Sequence, residues 1–383
     1  MRLAFTPEQT ALAAELRAYF AALKDFIENE DTDESTYTRY VRRLGSDGWL
    51  GIGWPEEYGG QARGPIDQMI FVEESHWAGV PLPLLTLNSV GPTLMALGTE
   101  EQKRDFLPRI LAGEMHFAIG YTEPNAGTDL ASLETRAVRD GDEYVVNGQK
   151  VFTSAIEHAD YVWLAVRTDP DLPKHKGLSV LLVPTDTPGF SWTPLRTMAG
   201  EFTSSTFYEE LRVPAANLVG EENQGWKLIT NQLNHERVAI CPASGILRSI
   251  DEVRGWAQQT HLADGRRVID QEWVRTTLAR VHARTELLKL MNWRIAADRA
   301  LGPAAASVTK VFGTELALEV YQALMEIVGE TASLPEGSLG AVLAGRLERN
   351  YRAQTIFTFG GGANEVQRDI IGMVGLGMPR APR

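Results

Sequence analysis

Cysteine is nearly absent from this sequence: Cys241 is the single one among 383 residues. A single cysteine excludes an internal disulfide framework, and it leaves none of the Cys-x-x-Cys or mixed Cys/His spacings that bind zinc. We therefore predict no metal site. Cys241 is interpreted as a small hydrophobic residue buried in the core.

A basic segment and a long apolar run are missing as well. The formal net charge is −13, which argues against nucleic-acid binding because phosphate recognition needs a basic face. The sequence has no run of about 18 apolar residues that could cross a membrane. The N-terminus from Met1 to Glu8 also lacks the apolar region of a signal peptide. We expect a cytoplasmic protein with no nucleic-acid or membrane partner.

Length and periodicity indicate several domains. The 383 residues, 44% of them hydrophobic, exceed one ordinary core. Apolar residues follow helical spacing near the N-terminus and again after about Gly225, whereas short β-rich runs separated by turns occupy the middle. We predict a mainly α protein with a β domain: a helical domain over residues 1–114, a β domain over 115–222 and a second helical domain over 223–383.

Two runs in the predicted β domain have the composition of a ligand-binding loop and its supporting strand. The first, Tyr121 to Asp129, places hydroxyl groups and a glycine beside a proline-fixed bend, so that backbone N–H groups can approach a polar ring edge or a phosphate. The second, Asn147 to Ser154, reads as a hairpin that returns to this loop. Either run alone is typical of an ordinary turn, but the pair is more specific.

The segment from Trp226 to Ile240 places a carboxylate on an apolar helical face. Trp226, Ile229 and Leu233 follow steps of three and four, and Glu236 lies in the same phase. Burial raises the pKa of a carboxyl group, which suits a group that accepts a proton away from water. The helix alone slightly favours the alternative, a Glu236 that is neutralised by Arg237 or another arginine.

Together these runs resemble the acyl-CoA dehydrogenase family over nearly the whole chain. The family's loop reads Thr-Glu-Pro-x-Ala-Gly-Ser/Thr-Asp, and its returning strand reads Asn-Gly-x-Lys followed by an aromatic residue and a hydroxyl. The resemblance implies a helical N-terminal domain, a β-barrel-like middle domain and a C-terminal four-helix bundle. It also implies FAD as cofactor and an acyl-CoA thioester as substrate.

The resemblance identifies Glu236 as the catalytic base. Most members carry this base in a loop near the C-terminus, where the present chain has Gly361 within Phe359-Gly360-Gly361-Gly362. The isovaleryl and long-chain members instead carry a Glu on the helix, immediately before an Arg, which is the position of Glu236 and Arg237. By the same resemblance, the backbone N–H of Gly361 and a ribityl hydroxyl of FAD would polarise the thioester carbonyl.

The resemblance also implies a set of binding residues. Phe152 would cover the isoalloxazine ring and Ser154 would hydrogen-bond near N5, although the family more often has Trp and Thr there. Asn234 and Arg237 would flank the substrate thioester, with Asn in place of a common Asp. Cofactor contacts are further expected from Tyr121, Thr122, Gly127, Thr128, Asn364 and Glu365, and Thr128 is also expected to contact substrate.

Without the resemblance, residues Gly360–Gly362 are equally well explained as a loop that caps a helix starting at Asn364.

Two motifs of the homotetrameric members are missing. These members complete a neighbour's FAD site through Arg-x-x-Phe-Gly followed by Gln, and through Gln-x-x-Gly-Gly, and neither motif is present after the catalytic helix. The chain therefore resembles the catalytic subunit of the actinobacterial heterotetrameric acyl-CoA dehydrogenases of steroid side-chain degradation. This implies an α2β2 assembly in which a second acyl-CoA dehydrogenase-like subunit completes the FAD site, with electron-transfer flavoprotein or a similar acceptor.

Three other functions stay open at this point. The chain could form a homo-oligomeric acyl-CoA dehydrogenase for a branched or short acyl-CoA. It could be a non-catalytic subunit that supports a partner's flavin, although such a subunit should lack Glu236 and have a degraded 121–129 loop. It could also be a flavin oxidase or monooxygenase on the same fold, which would differ in oxygen access around N5.

Overall fold

The computed structural model describes residues 4–29, 32–239, 241–298 and 301–379, and the side chains of 233–239 lie outside this description. The chain divides into two compact units. One consists of Met1–Asn29, Gly64–Pro81 and Arg237–Arg383, and the other of Glu30–Arg63 and Leu82–Glu236.

The first unit is helical. Its helices are α1 Pro7–Glu28, α3 Pro65–Ala78, α7 Ala243–Gln259, α8 Glu272–Ala297, α9 Pro303–Val328, α10 Arg346–Gln354 and α11 Asn364–Ile370. Helices α7, α8 and α9 pack against one another, while α10 and α11 pack along α9, and α1 packs on α3. The apolar faces of α7, α8, α9 and α10 share one core that includes Val281, Leu288, Val320 and Leu324.

Local sequence fixes where these helices begin. The Thr6 side chain accepts a hydrogen bond from the Gln9 N–H while the Gln9 side chain accepts one from the Thr6 N–H, so that two otherwise unpaired donors are satisfied at the start of α1. Pro7 and Pro303 occupy first-turn positions, where the missing N–H costs nothing. Buried residues of α1 recur at steps of three and four, as the sequence predicts: Leu12, Leu16, Phe20, Leu23 and Ile27.

The second unit contains a mixed sheet. Its strands are β1 Phe117–Gly120, β2 Arg136–Asp140, β3 Glu143–Lys150, β4 Tyr161–Arg167, β5 Leu178–Pro184, β6 Phe190–Arg196 and β7 Phe202–Pro214. They follow the order β1-β4-β2-β3-β7-β6, and β5 pairs with the other edge of β4. Its helices among the described residues are α2 Thr36–Ser46, α4 Gly91–Leu97, α5 Glu100–Leu111 and the part of α6 Gly225–Ala239 that precedes Arg237.

The burial pattern distinguishes central from edge strands. The interior residues of β4 and β5 are buried without alternation, which is typical of strands covered on both faces. Most of β6 is exposed, as expected at a sheet edge. The helical, β, helical order predicted from the sequence is therefore confirmed. Among the described residues, no helix is both long and apolar enough to span a membrane.

Two helical glycines allow a test of packing in the second unit against a matched control in the first. A Cβ on Gly45 of α2 would lie 2.2 Å from the carbonyl carbon of Ala112, whereas a Cβ on Gly245 of α7 meets nothing within 4 Å. We expect Gly45→Ala to cost about 3 kcal/mol or more because backbone must move. Gly245→Ala should instead stabilise by about 1 kcal/mol through helix propensity.

Thermal unfolding of the two purified variants measures both effects. An unchanged Tm for Gly45→Ala would contradict the packing described for α2.

Candidate active site

The loop that follows β1 contains a tight turn at Pro124. Glu123 and Ala126 exchange backbone hydrogen bonds of 3.0 and 3.1 Å, so that Pro124 and Asn125 form a tight turn between them. Pro124 suits this turn because its ring fixes φ. Beyond the turn, Gly127 and Thr128 are exposed, whereas Glu123 and Ala126 are buried. The predicted cofactor-contacting part of the loop is thus exposed, while the turn beneath it is fixed.

A buried ion pair between Glu123 and Lys150 holds this loop in place. The Lys150 ammonium lies 2.7 Å from Oε1 of Glu123, and the Lys150 side chain has no exposed surface. The Glu123 carboxylate also accepts the backbone N–H groups of Glu134 and Thr135 at 2.6 and 2.8 Å. Lys150 in turn donates to the Tyr121 carbonyl at 3.1 Å. Every one of these contacts ties the loop to the end of β3 or to the segment before β2.

The pair shifts the pKa of both partners. Burial raises the pKa of Glu123. The Lys150 ammonium and the hydrogen bonds that the carboxylate accepts together have a larger, opposite effect, so the pKa of Glu123 lies below its usual range. Burial lowers the pKa of Lys150 to about 8, against the opposing effect of Glu123. In both groups the ion pair therefore favours the charged form that burial disfavours.

Tyr121 is held by its own side chain. Its hydroxyl donates to Oε1 of Gln232 on α6 and accepts from the Trp163 indole N–H at 3.0 Å. Gln232 is fully buried, and its Nε2 has no partner among the residues that the structure describes. Tyr121 therefore couples the start of the loop to β4 and to the middle of α6.

Phe152 has the backbone and exposure of a ligand-facing aromatic residue. Its φ of +61° is left-handed, a strained conformation for a bulky residue, and its side chain is 63% exposed. The flanking backbone is held in place because the Val151 N–H donates to the Thr122 carbonyl and the Thr153 N–H donates to the Ser204 carbonyl. The fold thus directs this aromatic ring outward at a cost in backbone strain, and packing within the unit does not explain that strain.

Ser154 follows Phe152 by two residues. Its hydroxyl is 3.1 Å from the Thr203 hydroxyl. Nearby, the buried Ser204 hydroxyl has no partner within the described part of the chain. Hydroxyl groups and an exposed aromatic face are what a flat polar ring system requires. These residues therefore fit an isoalloxazine ring.

A β-bulge at Gly148 determines the course of the end of β3. The register between β3 and β7 shifts between Val146 and Gly148, and Gly148 has φ +154°. A Cβ on Gly148 would lie 2.7 Å from the Cα of Thr135. Only glycine fits this close approach, and the bulge sets the direction in which Lys150 and Phe152 continue.

The C-terminal glycine loop belongs to the helical unit. Gly361 and Gly362 have φ of +64° and +95°, and α11 begins at Asn364 as the sequence predicts. The Lys310 ammonium of α9 donates to the Gly362 carbonyl at 2.8 Å and to Oδ1 of Asn364 at 2.9 Å. Glu365, in the first turn of α11, is exposed.

The Asn364 side chain is buried and makes structural contacts. Besides Lys310, its amide contacts the Thr314 hydroxyl, and its Nδ2 donates to Glu315 at 3.2 Å. The cofactor contacts assigned to Asn364 and Glu365 stay predictions.

The predicted base lies on α6, as expected, but its side chain is outside the described residues. The same applies to the side chains of Asn234 and Arg237. The backbone of all three is helical. Their expected roles, like those of Thr122, Gly127 and Thr128, stay predictions.

Three buried polar residues were given no role by sequence reasoning. Lys150 and Glu123 belong to the recognised motifs, and the inward register of Lys150 at the end of β3 was a usable signal. Lys310 lies on the buried face of α9, where a lysine is rare unless paired.

Family comparisons cover the chain from end to end. Its residues match the acyl-CoA dehydrogenase N-terminal domain over 6–114, the middle domain over 118–210 and the C-terminal domain over 223–376. The chain belongs to the acyl-CoA dehydrogenase family. Members are FAD-dependent oxidoreductases, so the predicted enzyme class and fold are confirmed.

Individual relatives are similar over their whole length. Acyl-CoA dehydrogenase FadE26 of Mycobacterium tuberculosis is 58% identical, with 100% of both chains covered. A chain of the crystal structure of the ChsE4-ChsE5 complex from Mycobacterium tuberculosis is 59% identical with a TM-score of 0.93, again with both chains fully covered. A chain of the Tcur3481-Tcur3483 steroid ACAD is 48% identical with a TM-score of 0.92 and full coverage of both chains. The chain is thus close to acyl-CoA dehydrogenase subunits of heteromeric complexes.

The Glu123–Lys150 pair predicts a pH-dependent stability difference. A carboxyl group whose pKa is lowered by folding stabilises the protein above its unfolded pKa, and this contribution is lost as pH falls through the folded pKa. Glu123→Gln should therefore be destabilising by about 3 kcal/mol near neutral pH, because it leaves the Lys150 ammonium buried and unpaired. The Tm gap between the two proteins should narrow below about pH 4.5, the ordinary pKa of Glu123.

Thermal unfolding of both proteins across this pH range measures the gap. Glu143→Gln, a partly exposed carboxylate paired with Arg212, is the control. A gap that stays constant down to the lowest usable pH would show that Glu123 is not ionised in the folded protein.

Proposed function

We propose that this chain is the base-carrying subunit of a heterotetrameric, FAD-dependent acyl-CoA dehydrogenase that desaturates the CoA thioester of a steroid side chain. The observation that carries the proposal is its full-length similarity, at 48%, to a chain of a solved steroid acyl-CoA dehydrogenase of two differently named components. The helix-borne Glu236–Arg237 sequence supports the catalytic role.

The proposed reaction removes two hydrogens from adjacent carbons. Glu236 takes the α proton, and a Cα=Cβ bond forms as the β hydrogen leaves as hydride. Bound FAD supplies the hydride acceptor that this chemistry needs. A carboxylate can deprotonate such a weak carbon acid only if charge on the thioester oxygen is stabilised. We assign the backbone N–H of Gly361 as one donor for this oxygen.

The loop and strand residues of the sheet unit are proposed to bind the cofactor. Phe152 presents an exposed aromatic face, and two residues later the Ser154 hydroxyl contacts the Thr203 hydroxyl. Thr122, Gly127 and Thr128 lie on the loop that the Glu123–Lys150 ion pair holds in place. The rigid support keeps the binding groups in one geometry before the ligand arrives, which lowers the entropy cost of binding.

The partner is proposed to be a second acyl-CoA dehydrogenase-like chain. Sequence motifs with which homotetrameric members complete a neighbour's FAD site are absent here. The ChsE4-ChsE5 and Tcur3481-Tcur3483 structures each contain two differently named components. This supports an assembly of two kinds of chain, which we propose to be α2β2. We propose electron-transfer flavoprotein or a similar protein as the acceptor, and the cytoplasm as the location.

The base assignment predicts the effect of one substitution. Glu236→Gln keeps the size of the side chain but removes its basicity, so flavin binding should be retained while substrate-driven flavin bleaching slows by about 10³-fold or more. Stopped-flow absorbance of the co-expressed complex with a steroid side-chain acyl-CoA measures this rate.

The exposed Glu272 at the start of α8 provides the control, because Glu272→Gln should leave the rate unchanged. Wild-type bleaching in Glu236→Gln would refute the base assignment.

The missing half-site predicts partner-dependent flavin binding. Flavin should be nearly absent from the chain produced alone and should reach one FAD per heterodimer after co-expression with its partner. The absorbance ratio of flavin to protein measures this content. Stoichiometric flavin on the chain alone would indicate a self-sufficient homo-oligomer, and the inferred steroid substrate would lose its main support.

A further inference from the structure

The C-terminal glycine loop is held firmly at both ends. On one side, the Gly360 N–H donates to the Ile356 carbonyl at 2.7 Å, and on the other the Gln367 N–H donates to the Ala363 carbonyl at 3.0 Å. Between these bonds, Gly361 and Gly362 both have left-handed φ. Two consecutive glycines in this conformation lose much entropy on folding, so an additional interaction is needed to keep the loop in one shape.

Lys310 provides that interaction. It lies near the first third of α9 with no exposed surface, and its ammonium donates to the Gly362 carbonyl at 2.8 Å. The same ammonium donates to Oδ1 of Asn364 at 2.9 Å, which fixes the first residue of α11. One side chain therefore holds the end of the loop and the start of the next helix together.

Neighbouring polar residues of α9 extend the same contact. Ser307, Lys310 and Thr314 follow helical steps of three and four and are all buried. The Ser307 hydroxyl donates to Oε1 of Gln367 at 2.8 Å, and the Thr314 hydroxyl contacts the Asn364 amide. This face of α9, which we call the α9 polar stripe, is thus directed at the glycine loop and at α11.

Stability alone is a poor reason for this arrangement. Burying an ammonium costs several kcal/mol, and apolar residues of similar volume are commonly as stabilising as a buried charge or more so. A buried cation aimed at a backbone carbonyl does achieve precise placement of the peptide. Within the described part of the chain, the N–H of Gly361 has no hydrogen-bond acceptor, so this donor is available to a ligand.

We infer that Lys310 is a positioning residue: it holds the glycine loop so that the Gly361 N–H keeps the direction needed to polarise the thioester carbonyl. This inference rests on the proposed function. Lys310 does not touch substrate in this scheme. It holds the Gly362–Ala363 peptide, two peptide groups after the one that carries the Gly361 N–H, and acts through the loop that joins them. Because catalysis depends steeply on placement, a displacement of about 1 Å costs about 10²-fold in rate.

The test separates enolate formation from hydride transfer. The probe is an acyl-CoA of a steroid side chain with sulfur in place of the β carbon, which has an α proton but no β hydrogen to transfer. Exchange of its α hydrogen with D2O, followed by mass spectrometry, reports deprotonation alone. The proteins are the co-expressed complexes of wild type, Lys310→Met and the control Lys289→Met, on the neighbouring helix α8.

We expect Lys310→Met to retain flavin and to slow α-hydrogen exchange by about 10²-fold. Turnover of the normal substrate should lose kcat with little change in KM, because the donor matters most when charge develops. Lys289→Met should behave as wild type. Exchange at the wild-type rate in a folded, flavin-loaded Lys310→Met would overturn the inference while leaving the proposed function intact.

Two further outcomes are distinguishable. If wild type itself fails to exchange the α hydrogen, the proposed function fails, and the role of Lys310 fails with it. If Lys310→Met does not fold, Lys310→Gln replaces it, since the amide keeps polarity in the site but ends short of the Gly362 carbonyl. We expect about 10-fold slower exchange from this variant, and an unchanged rate would again overturn the inference.

Discussion

A buried ammonium that donates to a backbone carbonyl holds a loop in each of the two units. In the sheet unit, Lys150 binds the Tyr121 carbonyl and pairs with Glu123. In the helical unit, Lys310 binds the Gly362 carbonyl. A charge-assisted hydrogen bond is short and strong inside a protein. Both loops are therefore fixed by electrostatics, where apolar packing would leave glycine and polar residues free to move.

The elements around these contacts all help to fix the positions of the two loops. The bulge at Gly148 shifts the register of β3 before Lys150, and Lys310 fixes Asn364, the first residue of α11, next to the glycine loop. The strained φ of Phe152 is maintained by backbone bonds on both sides of it. Strain of this kind persists only when surrounding structure enforces it, and it is concentrated at functional sites.

Much of the fold could be predicted from the sequence because local signals agreed with one another. Thr6 and Pro7 marked the start of α1, and the alternation of β-rich runs with glycine turns marked the sheet. The motif around Tyr121 and the one around Phe152 identified the candidate cofactor region. Strand order and pairing could not be read this way, because β1 and β4 are parallel neighbours separated by two other strands in the chain.

The sequence by itself determined the family, the domain order and the identity of the candidate groups, since these depend on short motifs and on periodicity. Only the tertiary structure decided what Lys150, Gln232 and Lys310 do. The local sequence can indicate that such a residue is buried, but the partner of Lys150, Gln232 or Lys310 lies 27, 111 or 52 positions away along the chain. Such contacts form when distant segments are packed together, so their geometry is a property of the fold, and no local pattern names the partner.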